Sequence, residues 1–164
     1  MTGNQALEVL KHALLLEKKG LALYSQVAQQ TTSPAAKEFF QLMASEEVKH
    51  CTWVEQQFAN ATKGLPFQSI AMDDSSLADS ILTLKLRQEI SAVSYEAAAI
   101  SAAISLEENA IKIYSDRAAT SNDPEERHMY ETLTEFEKNH LSMLVKINSE
   151  ITESVWHDNH FWPF

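Results

Sequence analysis

One stretch of this chain occurs twice, and the spacing between the copies leaves few folds open to it. Leu16-Glu17, Tyr24-Ser25, Pro34 and Glu47-Val48-Lys49-His50 return as Leu106-Glu107, Tyr114-Ser115, Pro124 and Glu137-Lys138-Asn139-His140. Every matched residue lies 90 positions beyond its counterpart, 107 against 17, 137 against 47 and 140 against 50. Nothing has therefore been inserted or deleted inside the unit. Ala13 and Ala28 keep the same register with Ala103 and Ala118. Each copy retains two carboxylates and a histidine, so the unit carries chemistry as well as packing.

Each copy reads as a helical hairpin. Leu7, Leu10, Leu14, Glu17, Leu21 and Tyr24 recur at spacings of three and four, which puts them on one face of a helix over about residues 4–30. Ser33 is placed to cap the next helix and Pro34 suits its first position, where a missing N–H costs nothing. That helix, over about 34–60, turns Phe39, Phe40, Met43, Glu47, His50 and Val54 inward, and Lys63-Gly64-Leu65-Pro66 ends it. In the second copy, Ile100, Ala103, Glu107, Ala110, Ile111 and Tyr114 share a face of a helix over about 96–120. Asp123 and Pro124 then start a helix to about 154, with Tyr130, Leu133, Glu137, His140, Leu144 and Ile147 inward. Between the copies, residues 63–93 form a crossover. A helix over 77–90 with a cap at 73–75 and a break near 91–94 is expected there. The prediction is an all-α fold, a four-helix bundle with a long crossover between helices 2 and 3, spanning 1–154. An aromatic tail over 155–164 is expected to pack on the bundle or on a second subunit. The composition agrees, with 3 Gly and 4 Pro in 164 residues.

In an antiparallel hairpin, residues equidistant from the turn stand at one height. Glu17 and Glu47 are equidistant from Thr32, and Glu107 and Glu137 from Asn122, each about 22 Å from its turn at 1.5 Å per residue. Within Glu47-x-x-His50 and Glu137-x-x-His140, positions i and i+3 share a helix face and can grip one ion. Two hairpins brought together by approximate twofold symmetry bring Glu17, Glu47, His50, Glu107, Glu137 and His140 to one level. That is the ligand pattern of carboxylate-bridged di-iron and di-manganese bundles. Four buried carboxylates without partners would repel and be strongly desolvated, whereas two divalent cations cancel their formal charge. Oxygen-rich donors with one imidazole per ion suit iron, or manganese, better than a soft metal. Glu47 and Glu137 are expected to bridge or lie between the ions, with Glu17 and Glu107 terminal. No catalytic group beyond these ligands is singled out, and no organic cofactor.

Other residues weigh less. Tyr24 and Tyr114, seven residues after a ligand, fill the core and can reach a ligand carboxylate. Glu46 and Glu108 are expected off the stripe and solvated. Cys51 reads as a small buried residue, and His12 and His128 as surface or packing residues. His157 and His160, also read so, are spaced to take an adventitious metal. Gly20 and Ala110 leave space beside the ions for a small ligand.

The balance of 23 acidic against 13 basic residues, net −10, opposes binding to nucleic acid or anionic membrane. No stretch approaches the roughly 20 apolar residues of a membrane span, and the polar N-terminus has no signal core. A single cysteine excludes internal disulfides. A cytoplasmic location is expected.

At these residues the chain resembles the rubrerythrin-like branch of the ferritin-like superfamily. The resemblance runs from about Leu7 to Ile151 and excludes the crossover. It implies a ferritin-like bundle holding two iron ions that react with dioxygen or hydrogen peroxide, in an oxidase, peroxidase or ferroxidase that is a homodimer. Peroxidase members of that branch carry a further glutamate about one turn after the third-helix ligand, where this chain has Ala110, matched by Gly20. One cysteine cannot build a four-cysteine rubredoxin centre, so electrons are expected from an external donor or the substrate. The competing readings are a ferroxidase that handles iron, and a non-catalytic bundle that uses metal only for stability and serves as a binding module.

Overall fold

The computed structural model describes residues 2–68, 85–86, 88–91 and 94–158. Four long helices account for most of them: α1 (Thr2–Gln30), α2 (Pro34–Thr62), α3 (Tyr95–Thr120) and α4 (Pro124–Asp158). No strand occurs among the described residues. α1 packs on α2, α3 on α4, and the two hairpins meet where α1 lies against α3.

The punctuation follows from local chemistry. Ser33 Oγ accepts from Ala36 N at 3.0 Å, and Pro34 opens α2. Glu89, from the segment before α3, adds its carboxylate to the same helix start, accepting from Ser33 Oγ at 2.5 Å and Ala35 N at 3.0 Å. A negative charge there meets the unpaired N–H groups of the first turn. α2 ends where Gly64 takes a left-handed φ of 67°, with Gly64 N donating to Ala61 O and Leu65 N to Asn60 O. Ser94 caps α3 through Ala97 N, and Asp123 Oδ1 caps α4 by accepting from Glu125 N and Glu126 N.

Three boundaries differ from the sequence reading by two residues or more, the first being α1, which begins at Thr2 rather than about residue 4. α2 runs two residues beyond Asn60, to Thr62, until the left-handed glycine stops it. α4 continues to Asp158, four residues beyond Ser154. Nothing between 154 and 158 breaks a helix, and the next proline is Pro163. The expected break before α3 is present at 90–91, and residues 85, 86, 88 and 89 are helical. The predicted cap at 73–75, the first part of the crossover helix and the tail from 159 lie outside the described residues.

The core falls into two clusters. One gathers Tyr24, Val27, Phe39, Phe40 and Met43 of the first hairpin with Leu86, Ile90, Ile100, Leu144 and Ile147. It joins the turn between α1 and α2 to the start of α3 and the latter part of α4. The other gathers Leu10, Ala13, Trp53 and Val54 with Tyr114, Met129, Tyr130 and Leu133, around the opposite turn. The hairpins therefore point in opposite directions, and the chain between α2 and α3 must travel the length of the bundle. Between the two apolar clusters lies a polar layer.

Candidate metal centre

The polar layer consists of the residues that interrupted the apolar stripes. Glu17, Glu47, His50, Glu107, Glu137 and His140 are each 2 % exposed or less. α1 supplies Glu17, α2 supplies Glu47 and His50, α3 supplies Glu107, and α4 supplies Glu137 and His140. One helical turn separates the glutamate from the histidine on α2 and on α4, so each pair leans inward together. The imidazole rings stack across the bundle at 5.3 Å between centroids.

The oxygens are shared out in a regular way. Glu137 presents Oε1 to His50 Nδ1 at 3.2 Å and Oε2 to His140 Nδ1 at 3.2 Å. Glu47 presents Oε2 to His50 Nδ1 at 3.9 Å and Oε1 to His140 Nδ1 at 3.4 Å. Each central carboxylate thus spans both histidines. The outer carboxylates face one histidine each: Glu17 Oε2 lies 3.2 Å from His50 Nδ1 and Glu107 Oε1 3.6 Å from His140 Nδ1. Their orientation is held crosswise between hairpins, because Tyr114 OH donates to Glu17 Oε1 and Tyr24 OH donates to Glu107 Oε1. The tyrosines therefore both fill the core and reach a carboxylate.

Burial and proximity fix the charges. Burial pushes Glu47 well up, with the neighbouring carboxylates of Glu137 and Glu17 adding to it, and it raises Glu107 to about 7. Burial also opposes ionisation of Glu137, but His50 and His140 outweigh it and hold that carboxyl well below its ordinary range. Burial opposes charge on the histidines, yet Glu137 and Glu17 around His50, and Glu107, Glu137 and Glu47 around His140, drive both well up. The phenols of Tyr24 and Tyr114 are pushed up by burial and by Glu107 and Glu17 respectively, so they stay protonated and donate.

This layer has more acceptors than donors. Glu47 Oε1, Glu137 Oε1 and His140 Nδ1 are buried and make no hydrogen bond. A buried polar atom without a partner is costly, and three of them facing a common centre call for a cation. Donor atoms of Glu47, His50, Glu137 and His140 lie within 4.8 Å of one another, close enough to hold a metal ion. Hard carboxylate oxygens with one imidazole on each side fit iron or manganese.

Two neighbours depart from the sequence reading. The space at Gly20 is taken by the Glu47 carboxylate, whose Cδ is 3.0 Å from where a Cβ would stand. Glu46 is buried rather than solvated, and pairs with Lys49 Nζ at 2.7 Å. A bundle helix buries a stripe at least about 100° wide, and a residue next to a ligand falls on its edge. Its counterpart Phe136 lies at the same edge, 5.5 Å from the His50 ring. Sequence reasoning also passed over Arg117, which lies buried against Glu126. Glu108, His12 and His128 are exposed and Cys51 is buried, as expected. The side chain of His157 and all of His160 lie outside the described residues.

Among the described residues no helix is long and apolar enough to cross a membrane. No curated protein and no solved structure gives a significant match to the chain. The family model described as Rubrerythrin matches residues 8–148, a span that takes in both copies of the repeat and all six residues of the polar layer. The four helices, their order and the carboxylate–histidine layer are those of a ferritin-like bundle, and the chain belongs to the rubrerythrin family.

Proposed function

We propose that Glu17, Glu47, His50, Glu107, Glu137 and His140 hold two iron ions, and that the protein is an oxidoreductase whose ferrous centre reacts with dioxygen or hydrogen peroxide. The observation that carries this reading is the sharing of Glu47 and Glu137 between both histidines, which is how a carboxylate serves two ions at once. His50 with Glu17 would complete one ion's position and His140 with Glu107 the other's. Bound as a ferrous pair, iron supplies the electrons and the Lewis acidity for reducing an O–O species.

The chain's own residues set the conditions. Tyr114 and Tyr24 fix the two outer carboxylates by donating to Oε1 of each; Glu17 turns its other oxygen to His50, whereas in Glu107 the oxygen held by Tyr24 is also the one that faces His140. The apolar clusters above and below keep bulk water from the layer, so charge interactions within it are strong. With all six residues 2 % exposed or less, the reactant must be small, which favours dioxygen or peroxide over a bulky organic substrate. Electrons for repeated cycles come from an external donor.

The experiment is anaerobic loading with ferrous iron, metal analysis, then mixing with peroxide or dioxygen under optical monitoring. Two irons per chain, oxidised and re-reduced over many cycles by an added reductant, is the expected result. Uptake of many irons per chain would instead indicate iron handling. A redox-silent ion such as zinc, retained after anaerobic purification, would refute the redox assignment.

A further inference from the structure

The internal repeat supplies its own control for the two central carboxylates. Glu47 and Glu137 are counterparts, as are Gly20 and Ala110, each three residues beyond an outer carboxylate. A Cβ built at Gly20 would stand 3.0 Å from Cδ, 3.2 Å from Oε2 and 3.3 Å from Oε1 of Glu47. Three nearly equal distances mean that the carboxylate lies flat over the bare backbone of α1, so close that a methyl group there would have to displace it by a few tenths of an ångström. The second hairpin has a methyl at the corresponding position, on the buried Ala110.

The distances to the histidines follow the same asymmetry. The Glu137 oxygens stand 3.2 Å from each Nδ1, whereas those of Glu47 stand back at 3.9 and 3.4 Å. Two side chains that the repeat makes equivalent therefore occupy different depths. The deeper-set one has the glycine behind it.

Resting on the metal centre proposed above, we infer that Gly20 is a seat for the Glu47 carboxylate, and that Glu47 is the bridging ligand that moves as the centre fills while Glu137 stays fixed. A carboxylate can change its mode of coordination only where its swing meets no atom. Gly20 opens that path on α1, and Ala110 closes the equivalent path on α3. A helix interior otherwise disfavours glycine, so its presence here fits a demand for space.

Crystal structures of metal-stripped and manganese-loaded protein test this directly. The expected result is that the Glu47 carboxylate leaves Gly20 on loading and moves further than that of Glu137. Equal movement, a larger shift of Glu137, or no shift in either overturns the inference. Manganese titration followed by electron paramagnetic resonance adds a second arm with Gly20→Ala. That variant removes the place the carboxylate holds before loading and leaves the loaded position untouched, so it is expected to bind the second ion about tenfold more tightly, with the coupled-pair signal appearing at lower manganese. Adding Ala110→Gly gives the seat to Glu137 instead and is expected to return the second ion to its unmutated affinity. Wild-type binding of both ions by Gly20→Ala overturns the inference. Failure of the unmutated protein to bind a pair refutes the metal centre instead, so the two failures are distinct.

Discussion

Tyr24 and Tyr114 each reach across from one hairpin to the outer carboxylate of the other. Removing either hydroxyl leaves a ring that still fills its place, stacked 6.2 Å from Phe40 or tilted 6.0 Å from Tyr130. Tyr24→Phe and Tyr114→Phe should therefore fold normally by circular dichroism while binding metal about 10- to 100-fold more weakly by titration, because an oriented ligand has been freed. An undiminished affinity in both would mean the tyrosines serve packing alone. Cys51 gives a second test at this scale. Its thiol is pushed up to about 11 by burial and by Glu17 and Glu47 nearby, so little thiolate is present near neutrality. Iodoacetamide should leave it unmodified in the folded protein at about pH 8 and label it fully in denaturant, read by mass spectrometry. The inward histidines and carboxylates were legible in the sequence because they break an apolar period. The seat at Gly20 was not, since a glycine's value there depends on which side chain lies opposite.

Each hairpin turn has to be locked, and the two solve the problem differently. In the second, Arg117 donates through Nε and Nη2 to Glu126, at 2.6 to 2.8 Å, and Ser121 Oγ donates to the same carboxylate at 2.5 Å. In the first, the corresponding positions hold Val27 and Ala36, both fully buried. Removing one member of a buried pair strands the other, so Arg117→Met should cost about 3–5 kcal/mol in urea denaturation. Replacing both with the apolar pair from the first hairpin, Arg117→Val with Glu126→Ala, should recover most of that loss. A double variant as unstable as the single one would show that the turn depends on the charges themselves. The helices and their caps could be read from Ser33, Pro34, Asp123, Pro124 and the alternation of stripes. The clamp could not, because residues nine apart across a turn leave no periodic trace. The far end of α4 was set too short because Val155 and Trp156 look like tail residues, although neither stops a helix.

At the scale of the molecule, the charged layer ties stability to pH and to metal with opposite signs. Glu107 is raised from 4.5 to about 7, so between those values the folded protein binds a proton that the unfolded chain releases. Stability of the metal-stripped protein therefore falls as pH rises through that window. His50 and His140 act in the same direction: their contribution is whole below the ordinary value of 6.5 and is lost as pH climbs towards their raised folded values. Glu137, held low by both histidines, works the other way, and its contribution is lost only on acidification below 4.5. A cation bound in the layer replaces those protons, so metal binding releases them and tightens as pH rises. The melting temperature of the metal-stripped protein should therefore drop between about pH 6 and pH 8, while the gain conferred by saturating manganese widens over the same range. Calorimetry at several pH values, with and without the ion, measures both trends. A gain independent of pH would place the bound metal away from Glu107, His50 and His140. In a bundle whose two apolar clusters are separated by this one layer, a bound cation would occupy the place where folding alone leaves buried polar atoms without partners.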